Sequence, residues 1–104
     1  MSKDELSDDT ATELSEIFHQ LGDPRRVRVV WSCLARPVSA GDVARRLGLS
    51  ESLASHHLRL LSAARVLRCE KRGRQMFYTA ASERISDLLT DLARHVDNGC
   101  EDEG

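Results

Sequence analysis

The chain has 104 residues, four aromatics and 40% apolar residues, enough for one domain with a small aliphatic core. No apolar run approaches a membrane span and no signal-peptide pattern opens the sequence, so a cytoplasmic protein is expected. Three cysteines, at 33, 69 and 100, are too far apart for a disulfide framework or a zinc finger, and a net charge of −2 alone argues against nucleic acid.

Residues 1–11 are polar and acidic and read as a disordered N-terminal tail. From about Thr12 a helix is predicted, because Leu14, Ile17, Phe18 and Leu21 recur at i, i+3, i+4 and i+7 before Gly22 stops the run. Asp23 as N-cap and Pro24 at the first helical position open a second helix. Its expected apolar stripe is Val27, Val30, Trp31 and Leu34, flanked by Arg25, Arg26 and Arg28, and Pro37 ends it.

Residues 39–59 are the most informative stretch. Ser39 with Asp42 three residues on can start a short helix whose stripe is Val43, Ala44 and Leu47. Gly48 closes it, Leu49 plugs the turn, and Ser50 caps the next helix. There Leu53, Ala54, Leu58 and Leu61 face inward, leaving Ser52, Ser55, His56 and Arg59 outside; His57 is read as packing or partly exposed. This is a helix-turn-helix pattern, and hydroxyls, an imidazole and a guanidinium on its second helix can meet base edges in a DNA major groove.

Val66 and Leu67 then begin a strand through Cys69, and 71–74 form a basic turn of Lys71, Arg72, Gly73 and Arg74. Met76, Phe77 and Tyr78 return as a second strand, giving a β-hairpin. A basic hairpin tip is ordinary in itself. Directly after such a helix it resembles the wing of a winged helix, whose cations approach phosphates or the minor groove. Ser82 caps a last helix bearing Ile85, Leu88, Leu89, Leu92 and Val96, more apolar surface than one small domain buries. With Leu14 and Phe18 it predicts a homodimer through the first and last helices. The expected fold is mainly α with a small β-hairpin (α+β), a winged helix-turn-helix over 12–97, followed by an acidic tail over 98–104.

The charge is unevenly distributed. Residues 24–75 carry twelve lysines and arginines against Asp42, Glu51 and Glu70, while both flanking segments are acidic. A basic middle can present one positive face to DNA. An enzyme is not expected: there is no glycine-rich phosphate loop, nucleophile elbow or paired metal-binding histidine motif. A winged helix that binds only protein would need an acidic or apolar second-helix face, which Arg59 and the basic run at 71–74 contradict.

The segments L-G-D-P-R-R-V-R-V-V at 21–30, L-S-E-S-L-A-S-H-H-L-R at 49–59 and K-R-G-R-Q-M-F-Y at 71–78 resemble the ArsR/SmtB family of metal- and stress-responsive repressors, over about residues 21–95. The resemblance implies a homodimer that occupies double-stranded operator DNA until an inducer releases it. By the same motifs, Ser52, Ser55 and His56 would meet base edges, Arg59 the backbone, and Lys71, Arg72 and Arg74 would be wing contacts.

The sensing site is where this chain departs from the family pattern. The family's soft-metal box E-L-C-V-C-D corresponds here to P-V-S-A-G-D at 37–42, which has no thiol. The family's site for zinc, cobalt or nickel on the last helix corresponds to Ser82, Arg84, His95 and Asn98, of which only His95 is a good ligand. Asp87, Asp91 and His95 share a helix face at i, i+4 and i+8, so with Cys100 or Glu101 they could form a rearranged site for zinc, nickel or cobalt. Against that stands a solvated or salt-bridged stripe involving Arg84. His19 could add a ligand at a dimer interface or simply be an interface histidine. The alternative is a thiol sensor of oxidant or persulfide using Cys100 and Cys33, although Cys33 reads as a buried structural thiol and neither cysteine is in the family's register. Cys69 alternates along the strand beside the wing.

Overall fold

The computed structural model describes residues 5–99 as five helices and three strands. Helix α1 spans Asp8–Gln20 and α2 spans Pro24–Ser32; α3 covers Ala40–Leu47, α4 Glu51–Ala63 and α5 Glu83–Asn98. Strands β1 (Val38–Ser39), β2 (Leu67–Arg72) and β3 (Gln75–Ala80) form one antiparallel sheet in the order β1-β3-β2. This is the α+β winged helix-turn-helix architecture. Among the described residues, no helix is long and apolar enough to cross a membrane.

Helix α1 begins earlier than its apolar spacing predicts. Ser7 is the N-cap, its Oγ accepting from the Thr10 N–H at 3.1 Å, and Asp8 and Asp9 occupy the first turn, where the helix dipole favours acids. The segment expected to be a disordered tail therefore includes residues 8–11 as helix. Arg26 joins α1 to α2: its Nε donates to the Gln20 carbonyl at 2.6 Å and Nη2 to that of His19 at 3.3 Å. These bonds satisfy carbonyls that the end of α1 leaves free.

Helix α2 is rotated relative to the expected stripe. Val29, Val30 and Cys33 are the buried positions, while Val27 and Trp31 remain 40% and 47% exposed. Both arcs of this helix are apolar, so periodicity alone does not decide which one meets the core. Helix α2 also ends at Ser32, before Leu34, which packs against the core from the following loop.

The helix-turn-helix forms as its capping residues dictate. Ser39 Oγ accepts from the Asp42 N–H at 3.2 Å and Asp42 accepts from the Ser39 N–H at 3.4 Å, a complete capping box. Gly48 terminates α3 with φ +68°, a left-handed conformation that costs glycine nothing. Ser50 then caps α4, accepting from the Leu53 N–H at 3.0 Å. Val43, Ala54, Leu58 and Leu61 close the core against Val29, Val30 and Cys33.

The hairpin is longer than expected. Lys71 and Arg72 lie in β2, and only Gly73 and Arg74 form the turn, with Arg72 opposite Gln75. Gly73 takes φ +64°, as the first position of a two-residue hairpin turn requires. The sheet also has a third strand that the sequence reading lacks: Val38 pairs with Tyr78 and Ser39 with Phe77. This pairing fixes the start of α3 against the base of the wing. Helix α5 has no fully buried residue; Ile85 and Leu89 touch the core, and Leu88, Leu92 and Val96 stay 51%, 48% and 73% exposed.

Candidate nucleic-acid interface

Ser52, Ser55, His56 and Arg59 fall at i, i+3, i+4 and i+7 on α4, so they share a face. The opposite face, with Ala54, His57, Leu58 and Leu61, is buried, which fixes the polar face outward. Ser52, His56 and Arg59 are exposed and Ser55 is half-buried. Ser55 and Arg59 line one groove of about 650 Å³ together with Arg45 of α3 and Arg74 of the hairpin turn. One concave surface thus joins the second helix of the motif, the first helix and the wing.

The wing cations differ in their freedom. Arg72 is held along the hairpin, its guanidinium 5.3 Å from the centroid of the Phe77 ring and Nη2 donating to Glu70 at 2.9 Å. Lys71 and Arg74 are exposed and make no ion pair among the described residues. Arg45 is the functional candidate that sequence reasoning missed. It pairs with Asp42 one turn earlier and lines the groove from the α3 side. Its exposed position on α3, beside the buried Val43 and Ala44, was a usable signal.

The candidate sensing residues are not assembled. Among the described residues, no three His, Cys, Asp or Glu side chains are grouped so as to hold one metal ion. Asp91 accepts from Arg94 Nη1 at 3.0 Å, His95 is exposed, and Asp87 lines a separate groove with Arg68 near the start of α5. His19 lines a shallow surface with Asp23 and Arg26. Cys33 is fully buried, its Sγ donating to the Val29 carbonyl at 3.4 Å. Burial pushes its thiol up to about 12, so at neutral pH it carries no reactive thiolate. Cys69 is exposed on β2, and Cys100 and Glu101 lie outside the described residues, as does most of the 98–104 segment.

Residues 21–70 match a helix-turn-helix domain family. A transcriptional repressor SmtB homolog of Synechocystis is 31% identical over 91 residues, covering 88% of this chain and 69% of that protein. The transcriptional regulator KmtR of Mycobacterium tuberculosis is 34% identical over 95 residues, covering 91% of this chain and 73% of the relative. The chain belongs to the ArsR/SmtB family. In fold, this ArsR/SmtB regulator superposes on a homodimeric winged helix-turn-helix DNA-binding domain of Mycobacterium bovis, described as a possible ArsR-family regulator. The TM-score is 0.82 at 19% identity, over 97% of this chain and 94% of that one. The family makes the protein a DNA-binding transcriptional regulator rather than an enzyme, and directs attention to the α4 face and the wing.

Proposed function

We propose that this protein is a homodimeric, sequence-specific transcriptional repressor of the cytoplasm that leaves its double-stranded operator when an inducer binds. The observation that carries the reading is the groove in which Ser55, Arg59, Arg45 and Arg74 converge beside exposed Ser52 and His56. Ser52, Ser55 and His56 read base edges from α4, and Arg59 contacts the backbone. Lys71, Arg72 and Arg74 meet phosphates or the minor groove from the wing. A second copy covers the apolar groove of about 720 Å³ formed by α1, α2 and α5, where Phe18, Trp31, Leu88, Leu92 and Val96 are exposed in the single protomer. The homodimeric relative supports this assembly.

For the inducer, the metal reading assigns zinc, nickel or cobalt to the α5 face carrying His95, Asp91 and Asp87. Among the described residues of one protomer these donors are not grouped on a single ion, so such a site draws further donors from Cys100, Glu101 or the second copy. The thiol reading assigns sensing to Cys100, since burial raises the Cys33 thiol to about 12 and leaves it little thiolate at neutral pH. One titration separates them: the reduced protein, on DNA from its own promoter at fixed pH, is challenged with zinc, nickel, cobalt, copper(I), then oxidant or persulfide. Metal-specific release that His95→Ala abolishes supports the metal reading. Release only by oxidant or persulfide, lost in Cys100→Ala, transfers sensing to the thiol. No salt-dependent binding to any duplex would overturn the repressor reading.

A further inference from the structure

Outside the groove shared by α4 and the wing, a second cationic surface lies beside the turn before α4. Arg25 and Arg28 of α2 and Arg46 of α3 surround a small concavity of about 290 Å³, floored by Leu47 and Leu49. All three arginines are exposed, and none makes an ion pair among the described residues. Arg36, Arg59, Arg68, Arg74 and Arg84 likewise make no ion pair among the described residues, so what sets this trio apart is that its members come from two helices and line one concavity. Arg25 and Arg28 are one turn apart on the same helix, a spacing at which like charges repel. Three exposed guanidiniums thus border one concavity without an ion pair; the acid beside them, Asp23, interacts with Arg25 but is paired with Arg26.

Its position explains what such a cluster can do. Leu49 immediately precedes Ser50, the cap of α4, so the concavity borders the leading end of the helix that carries Ser52, Ser55 and His56. Arg45 and Arg46 are neighbours on α3 but line different surfaces, Arg45 the wing-side groove and Arg46 this one. A helix in a major groove about 12 Å wide has a phosphate strand on each side, and the first helix of the motif crosses the backbone. Arg59 and Arg74 line the wing-side groove, whereas Arg25, Arg28 and Arg46 line this one.

We propose that Arg25, Arg28 and Arg46 form a phosphate clamp for the DNA strand on the side of α4 away from the wing. The two cationic surfaces then hold the duplex from both edges of the groove that α4 enters. This inference rests on the DNA-binding reading above. The clamp contributes affinity that is independent of base sequence, because guanidinium–phosphate contacts carry no base information.

The test is the salt dependence of binding by the full chain, on its own promoter duplex and on a random duplex of equal length. Arg25→Gln with Arg46→Gln is compared with Arg84→Gln with Arg94→Gln, which removes the same charge from α5. Arg28 is left intact because it also borders the apolar groove of the dimer. Each lost phosphate contact lowers the slope of log K against log salt by about 0.9, so the clamp variant should lose roughly 2 per protomer on both duplexes. The α5 variant should keep the wild-type slope. If the wild type binds with a steep slope and the clamp variant matches it, or loses no more than the α5 variant, the clamp is wrong while the repressor reading stands. A loss confined to the promoter duplex would also overturn it, since it would mean sequence readout. If the wild type itself shows no salt-dependent binding, the repressor reading fails and the clamp falls with it.

Discussion

His56 and His57 are adjacent on α4 yet sit in opposite environments: His56 is exposed, while His57 is 6% exposed with neither ring nitrogen hydrogen-bonded in the protein. Burial, then the nearby Arg26, His56 and Arg25, hold the His57 pKa below its ordinary 6.5, against the opposing pull of Asp23. A histidine whose folded pKa is depressed binds more protons when unfolded. Its stabilising contribution is complete above about pH 6.5 and is lost as pH falls from there toward the folded value. Urea midpoints at pH 7.5 and pH 5 should therefore differ in the wild type, and His57→Leu should narrow that difference. An unchanged difference would remove His57 from the acid response. On the other face of the same helix, Ser55→Ala should cost on the order of 1 kcal/mol on promoter DNA and less on random DNA. Equal losses in an anisotropy titration would mean that Ser55 does not discriminate bases.

At the scale of elements, the turn between α3 and α4 decides how the reading helix is presented. Gly48 holds φ +68°, and no atom lies within 4 Å of where a Cβ would stand. Gly48→Ala therefore introduces backbone strain without a clash, and thermal unfolding should show a loss of about 1 kcal/mol. A neutral result would mean that the turn relaxes. This junction was legible in the sequence because its signals are local: Ser39, Asp42, Gly48 and Ser50 act within one turn of where they stand. The short β1 was not legible, since a two-residue strand exists only through its pairing with Phe77 and Tyr78, and its Ser39 also serves as a helix cap. The rotation of α2 escaped for a related reason. Its Val29-Val30-Cys33 arc and its Val27-Trp31 arc are equally apolar, and tertiary packing chose between them. Within the candidate interface the outward face of α4 followed from periodicity. The destinations of Arg45 and Arg46, and the tethering of Arg72 to Glu70 and Phe77, depend on contacts between elements that spacing does not encode.

At the scale of the whole molecule, the apolar residues left outside the core determine whether one α4 face or two meet DNA. Phe18, Leu92 and Val96 are 65%, 48% and 73% exposed in the protomer, although covering the exposed part of each would gain about 1–2 kcal/mol. They lie along one groove between α1, α2 and α5, continuous with Trp31, rather than scattered as isolated surface residues. Because none belongs to the core, a charge placed there should spare the fold of the protomer. Phe18→Glu with Leu92→Glu should therefore convert a dimer to a monomer in sedimentation velocity while the helical circular dichroism is retained. It should also weaken binding to a duplex with two half-sites far more than to one with a single half-site, because only a dimer presents two α4 helices a helical turn apart. A variant that stays dimeric would relocate the interface away from this groove. Equal weakening on both duplexes would mean that each protomer binds DNA on its own, and the two-fold arrangement would then contribute nothing to operator choice.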